Sequence, residues 1–284
     1  MVDTTAYEPN RETAWCPGCG NFPLRQSLAD ALADLDLAPG EVTMFTGIGQ
    51  AAKMPHYINT NGFNGLHGRS IPPAIGMRIA NPEMKVIVES GDGDTYGEGG
   101  NHLLHNIRRN PDIAHLVHNN QIYGLTKGQA SPTSEEDMKT KVQPNGVTAK
   151  PFNPIRFAVA MKVSFVARSF VGNQDHLVKM IKSALTHRGY ALVDILQPCV
   201  TFNKINTYQW YSKRVYELEE DYDPTDYAKA LEKAEEWGEK IPLGVLYKEE
   251  KSIFRDHHPQ LEGIVPVKEK STSIQRTELL NEFK

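Results

Sequence analysis

Two aspartates, two asparagines and a run of glycines are spaced along this chain so that they can meet at one edge of a sheet. The aspartates stand in Gly91-Asp92-Gly93-Asp94, directly after Lys85-Val86-Ile87-Val88-Glu89-Ser90. The asparagines are Asn119-Asn120, just after Ile113-Ala114-His115-Leu116-Val117. Both preceding runs are apolar or β-branched and read as buried strands. The segment between them reads as a helix over about 98–109. Parallel strands joined by a right-handed crossover bring the two loops to the same edge. There a carboxylate and a carboxamide can share one hard cation through oxygen, and a helix N-terminus can hold a phosphate. That pairing points to a magnesium diphosphate site. A lone Gly-Asp-Gly is a common turn; the amide pair and the two strands set this one apart.

The elements that must position these residues follow from the pattern on either side. Residues 22–35 read as an amphipathic helix ended by Ala38-Pro39-Gly40. Residues 41–46 are strand-like and run into Gly47-Ile48-Gly49-Gln50-Ala51. A mixed loop over 53–64 leads to Leu66-His67-Gly68-Arg69, and 71–81 reads as a helix whose two prolines fall in its first turn. Beyond the amide pair, 130–153 is a polar loop with three prolines, at 132, 144 and 151. Alternation then resumes with a helix over 154–162, a strand over 164–169, a helix over 174–188 and a strand over 190–196. The pattern predicts an α/β fold with a doubly wound parallel sheet. The loops 47–51, 91–94, 119–127 and 197–199 should share one rim. This unit occupies 1–215. Residues 216–284 read as a strongly charged C-terminal extension, helical over about 224–237, with a polar tail after Pro266 that is loosely held or ordered against a partner.

Composition narrows the class. The 284 residues include 31 Lys and Arg against 35 Asp and Glu, a net charge of −4. That balance offers no basic surplus for nucleic acid. Mean hydropathy is −0.47, and no apolar run approaches the roughly 20 residues of a membrane span. The first residues lack the basic-then-apolar layout of a signal peptide. The expectation is a cytoplasmic protein.

There the three cysteines, Cys16, Cys19 and Cys199, are not expected to form structural disulfides. Cys16 and Cys19 lie in Trp15-Cys-Pro-Gly-Cys-Gly20, a Cys-x-x-Cys ahead of a helix whose dipole favours thiolates. By spacing alone the pair is equally a ligand half-site, a redox dithiol or a structural turn.

The amide pair at this distance from Gly-Asp-Gly resembles the thiamine diphosphate fingerprint. A wider ordered set runs through the chain. It comprises Trp15-Cys-Pro-Gly-Cys-Gly20, Thr46-Gly-Ile-Gly49, Leu66-His-Gly-Arg69, Gly91-Asp-Gly-Asp94, Asn119-Asn-Gln-Ile-Tyr-Gly-Leu-Thr-Lys-Gly-Gln129, Ser131-Pro-Thr133 and Leu196-Gln-Pro-Cys199. Together these resemble the beta subunit of a 2-oxoacid:ferredoxin oxidoreductase over about residues 12–215. The resemblance implies a thiamine diphosphate-binding fold and oxidative decarboxylation of a 2-oxoacid to an acyl-coenzyme A, with electrons passed to ferredoxin. It implies Mg²⁺ held by Asp92, Asn120 and the Ile122 carbonyl. The diphosphate would meet Gly93, Asp94, Gly124 and Leu125, and the loop Gly47, Ile48, Gly49, Gln50 and Ala51 would face the cofactor. His67 would stand at the cofactor, while Lys53, Arg69 and Lys127 are cations near the same rim, any of which is equally a solvated surface charge. Of these, Lys53 and His67 are taken as the catalytic candidates.

Cys16, Cys19 and Cys199 match three of four iron–sulfur ligands in the family, which often has a cysteine where this chain has Gln50. No cysteine lies between Cys19 and Cys199. A four-iron cluster with a non-cysteine ligand, a three-iron cluster and no cluster are all open, with some cluster expected. The residue that activates the thiamine aminopyrimidine has no match here, so an alpha subunit is expected to complete the active site. A non-redox thiamine decarboxylase or carboligase, and a non-catalytic cofactor-binding subunit, are the alternatives.

Overall fold

The computed structural model of the chain describes residues 1–9, 11–270 and 273–282. Its strands are β1 (Val42–Thr46), β2 (Asn61–Asn64), β3 (Lys85–Gly91), β4 (Ile113–Asn119), β5 (Ile122–Tyr123), β6 (Gln129–Ala130), β7 (Phe165–Phe170), β8 (Tyr190–Leu196), β9 (Val215–Glu217) and β10 (Ile241–Lys248). The helices are α1 (Asn21–Asp34), α2 (Met54–Tyr57), α3 (Ile71–Ala80), α4 (Gly100–Arg109), α5 (Pro154–Ala160), α6 (Gln174–Thr186), α7 (Tyr208–Ser212), α8 (Tyr227–Glu235) and α9 (Ser273–Glu282). Eight strands form one sheet in the order β2-β1-β3-β4-β8-β7-β10-β9, and β5 pairs with β6 as a separate hairpin. Every neighbouring pair in the large sheet is parallel except β10 with β7.

The central strands are buried on both faces, and successive residues feed opposite helical layers. In β4, Ala114 and Leu116 join one core while Ile113 and Val117 join the other. The first core is closed by α1 and α6, with Leu24, Leu28 and Leu32 of α1 spaced one turn apart and wholly buried. Burial of each such leucine contributes roughly 1.5–3 kcal/mol, so Leu28→Ala is expected to cost about 2–5 kcal/mol. Helices α3, α4, α5 and α8 cover the other face.

The doubly wound parallel sheet is therefore the one expected, and the strand order locates its switch point. After β4 the chain skips a place to build β7, then returns through α6 to lay β8 between them. The direction of winding reverses between β4 and β8, and the crevice beyond their C-terminal ends is where ligands of such sheets bind. Asn120 leaves β4 there, and Gln197 leaves β8.

Three strands of the large sheet depart from expectation, and the β5–β6 hairpin forms where loop was expected. β2 lies in the segment expected as loop. Its residues are exposed and, Phe63 apart, are asparagine or glycine, so it owes its conformation chiefly to pairing with β1 rather than to propensity. β9 and β10 come from the segment expected as an extension. The expected boundary at 215/216 cuts β9, and β10 buries Ile241, Leu243 and Leu246 against the sheet. Charged flanks conceal this short apolar run in the sequence. Of the expected loose tail, residues 271, 272, 283 and 284 lie outside the described residues. No helix among the described residues is long and apolar enough to cross a membrane.

Candidate active site

Past β3 the chain enters helix almost at once, where a loop was expected. Asp92 already has helical dihedrals and heads a π-helical turn, Gly93–Glu98, that leads into α4. Such wide turns are rare and gather at functional sites. Gly93 is required by packing: a Cβ there would collide with the Tyr123 ring. That ring stands at the exit of β4 and donates its hydroxyl to Glu98 Oε2 at 3.0 Å.

Asp92 is 2% exposed. Its Oδ2 accepts from Ser131 Oγ at 2.5 Å and Thr133 Oγ1 at 2.6 Å. Burial pushes its carboxyl up to about 6, with the nearby Asp194 charge adding to the shift. The two hydroxyls and the Gly93 N–H act against it. A carboxylate held this way, dry and oriented, gains most when a cation takes up its charge.

After β4, Gln121 adopts a left-handed conformation (φ 57°), uncommon for a residue with a side chain. Its amide secures the turn, donating to the Thr133 carbonyl at 2.7 Å and accepting from Tyr211 Oη at 2.8 Å. The turn sets Asn120 beside the Ile122 backbone, and Asn120 Oδ1 accepts from the Ile122 N–H at 3.0 Å. A carboxamide oxygen has a second lone pair, which stays free for a cation. Asn119 faces the interior instead, donating to Asp194 Oδ1 at 3.0 Å. Asp194 also receives the Tyr96 hydroxyl at 2.8 Å and lies beside the buried Arg168.

Asp94 was expected to contribute a backbone N–H; its side chain does more. The buried carboxylate accepts from Ile48 N at 3.1 Å and Gly68 N at 2.8 Å, and contacts His67 Nδ1 at 2.6 Å. It thus ties the first glycine loop and the Leu66–Arg69 segment to the π turn. Gly47 lies so close that a Cβ would overlap this carboxylate. Asn64, on β2, completes the frame by donating to the Gly47 carbonyl at 3.1 Å and the Ala52 carbonyl at 3.2 Å.

These loops enclose an open cleft of about 470 Å³. Its walls include Asp92, Gly93 and Asp94, then Asn120, Ile122, Gly124 and Leu125, and Ile48, Gly49, Gln50, Ala51 and His67. Two expected residues stand outside its lining. Gly47 backs onto Asp94, and Lys53 ends the short turn Ala51–Lys53 whose first residue is in the wall. Arg69 and Lys127 are exposed. The donor set fits a magnesium diphosphate: three oxygen-bearing positions, Asp92, Asn120 and Ile122, open on one space beside a helix start. Sequence reasoning assigned no role to Ser131, Thr133 or Gln121. The hydroxyl spacing Ser-x-Thr was visible, but nothing local tied it to Asp92.

A second cavity, of about 430 Å³, adjoins the first and is lined by Cys16, Cys19 and Cys199 together with Gln50, Trp15 and Phe202. Gln50, Asn120 and Gly124 belong to both walls. Burial raises the Cys19 thiol, and the neighbouring Cys199 and Cys16 add to the shift. Gln197 Nε2 points at Cys19 Sγ from 3.7 Å. Among the described residues no three His, Cys, Asp or Glu side chains are grouped closely enough to share a single metal ion. The ligands of an iron–sulfur cluster sit on separate irons, so their spacing is wider than that of one ion's shell.

Comparison with known proteins adds to this geometry. Residues 39–195 match the family described as thiamine pyrophosphate enzyme, C-terminal TPP binding domain. Residues 199–263 match the family that describes the C-terminal part of the pyruvate ferredoxin oxidoreductase beta chain. The chain is 46% identical over 253 residues to 2-oxoacid:ferredoxin oxidoreductase 1, subunit beta, of Aeropyrum pernix, covering 85% of this chain and 80% of that one. With 2-oxoacid:ferredoxin oxidoreductase subunit beta of Saccharolobus solfataricus the identity is 44% over 249 residues, 83% of this chain and 82% of the other. A solved 2-oxoglutarate:ferredoxin oxidoreductase from Magnetococcus marinus, with 2-oxoglutarate, coenzyme A and succinyl-CoA bound, matches at a TM-score of 0.90 and 34% identity. That match covers 98% of this chain and 96% of the other.

Proposed function

The chain belongs to the beta subunits of the 2-oxoacid:ferredoxin oxidoreductases, and from that premise we propose that it catalyses, with an alpha subunit, the oxidative decarboxylation of a 2-oxoacid to an acyl-coenzyme A. Electrons leave to ferredoxin, and the complex works in the cytoplasm. The observation that carries this reading is the shared wall. The cleft that opens on Asp92 and Asn120 and the cavity holding three cysteines meet at Gln50, Asn120 and Gly124. A site that generates electrons and a site that accepts them would be neighbours.

Asp92, Asn120 and the Ile122 carbonyl would hold Mg²⁺, and the backbone of 48–51, 93–94 and 124–125 would hold the diphosphate. Thiamine diphosphate, when bound, supplies the electron sink for the carbon that loses CO₂. Ser131 and Thr133 keep the Asp92 carboxylate oriented, and Asp94 holds His67 in the cleft wall. His67 there, and Lys53 just behind the wall, are the residues for proton handling and for the substrate carboxylate. Cys16, Cys19 and Cys199 would hold an iron–sulfur cluster, which takes electrons one at a time.

The test is turnover by the purified alpha–beta complex with a panel of 2-oxoacids. Reduction of ferredoxin or viologen that requires coenzyme A and is lost in Asp92→Ala is expected. CO₂ release without acceptor reduction would establish a non-redox decarboxylase instead. A complex that binds cofactor and turns over no 2-oxoacid would overturn the catalytic reading.

A further inference from the structure

Gln50 stands where the family often has a cysteine, and its surroundings are those of a ligand. Its side-chain Oε1 is buried with no hydrogen-bond partner. The side chain lines the cavity of the three cysteines. It also shares one spot with Cys199: a Cβ placed on Gly124 would stand 3.8 Å from Gln50 Cγ and 4.0 Å from Cys199 Sγ. The Gln50 backbone is fixed against the Cys-x-x-Cys segment. Its carbonyl accepts from Trp15 Nε1 at 3.0 Å and from Asn21 Nδ2 at 3.5 Å, residues that bracket Cys16 and Cys19. Position and register are therefore set by the main chain, and the side-chain oxygen is left without a partner in a residue that lines the cavity of the thiols.

The other amides around this cavity are occupied or differently placed. Asn21 Oδ1 is bonded to the His118 ring and Asn120 Oδ1 to Ile122 N. Gln197 also has an unpartnered Oε1. Its stem, however, packs on Gly20 and its amide nitrogen is turned to Cys19, the arrangement of a donor to a thiolate.

We propose that Gln50 is the fourth ligand of a 4Fe–4S cluster, through its side-chain oxygen, with Cys16, Cys19 and Cys199 as the other three. The inference rests on the reading that these cysteines hold a cluster. An amide oxygen is a neutral, hard donor beside three soft thiolates. The iron it holds is the one that leaves. On mild oxidation the 4Fe–4S²⁺ cluster gives a 3Fe–4S⁺ cluster, one Fe²⁺ is released, and one electron passes to ferricyanide, which becomes ferrocyanide. Cluster charge, ligand type and hydrogen bonding set the potential. One thiolate fewer makes the cluster easier to reduce than an all-cysteine one.

The experiment uses the anaerobically purified alpha–beta complex, comparing wild type with Gln50→Ala, Gln50→Glu, Gln50→Cys and, as a control, Gln197→Ala. Iron and sulfide content, Mössbauer spectra, and EPR before and after ferricyanide are the readouts. Wild type should hold four irons and lose one on oxidation. Gln50→Glu and Gln197→Ala should behave like it, and Gln50→Cys should keep all four. Gln50→Ala should be isolated with three irons or lose the fourth at least about tenfold faster, in line with the loss of metal affinity when its support is removed. If Gln50→Ala fails to assemble, retention in Gln50→Cys against loss in wild type carries the test. A wild-type cluster that is already three-iron, or one whose fourth iron is indifferent to Gln50, would overturn the assignment while leaving the functional reading intact. No iron in wild type would overturn that reading, and the ligand assignment with it.

Discussion

Thr133 Oγ1 lies 2.6 Å from Asp92 Oδ2 and 2.9 Å from Asn119 Oδ1, so one hydroxyl spans the head of the π turn after β3 and the last residue of β4. A hydrogen bond to a charged group contributes about 1.5–3 kcal/mol. Thr133→Val keeps the shape and removes that bond. Mg²⁺-dependent binding of thiamine diphosphate should weaken by about ten- to a hundredfold, while Thr133→Ser should bind nearly as wild type. Calorimetric titration of the two variants decides; equal affinities for wild type and the valine variant would rule out the clamp.

Asp92 itself tests whether the cleft binds cofactor through a cation. Asp92→Asn retains the two hydroxyl partners and loses the charge. Equilibrium dialysis should then show thiamine diphosphate binding that no longer responds to Mg²⁺, in a complex whose size on gel filtration is unchanged. Undiminished Mg²⁺ dependence would remove Asp92 from the ligand set.

Gly93→Ala is expected to disturb the site by overpacking, because the new methyl collides with the Tyr123 ring. Such insertions typically cost about 1–3 kcal/mol. The double variant Gly93→Ala with Tyr123→Ala should recover part of that loss, since contacting residues couple. Thermal unfolding of the two single variants and the double variant measures it, and strict additivity would show that the two do not meet.

Two buried groups oppose one another in acid. Burial pushes His115 down to about 3 and Asp92 up to about 6. The unfolded chain protonates His115 below about 6.5 while the native state does not, so that group's stabilisation is lost as pH falls. The native state keeps a proton on Asp92 up to about 6 while the unfolded chain has released it from about 4. Stability from that group is therefore present below about 4 and lost as pH rises through 6. Between pH 4 and 6 the two slopes cancel. Asp92→Asn in the absence of Mg²⁺ should make the slope of unfolding free energy against pH more positive by about 1.4 kcal/mol per unit across that window. Urea unfolding at several pH values reads the slope directly, and parallel profiles would refute the assignment to Asp92.

Much of the molecule could be read locally. The runs 85–90, 113–117 and 190–196 are strands because their β-branched residues suit a pleat buried on both faces. The helix starting near residue 21 and the prolines heading α3 were legible for similar reasons. Less legible were elements whose conformation comes from their neighbours. β2, exposed and rich in asparagine and glycine, is a strand chiefly by pairing with β1, and β10 is a short apolar run among charges. The π turn arises from glycines that admit Tyr123, a contact no spacing announces.

Residue types and their order along the chain determined the chemistry on offer: acid and amide oxygens that can serve a hard cation, glycines that allow close backbone approach, and three thiols with an amide at Gln50. Tertiary structure alone decided which of these meet. Cys199 reaches the N-terminal Cys-x-x-Cys because β8 is laid beside β4, out of chain order, at the point where the winding reverses. Ser131 and Thr133 reach Asp92 because Gln121 turns the chain back across the end of the sheet. Local pattern reports burial and periodicity, whereas strand order and loop return are settled by packing between segments far apart in sequence.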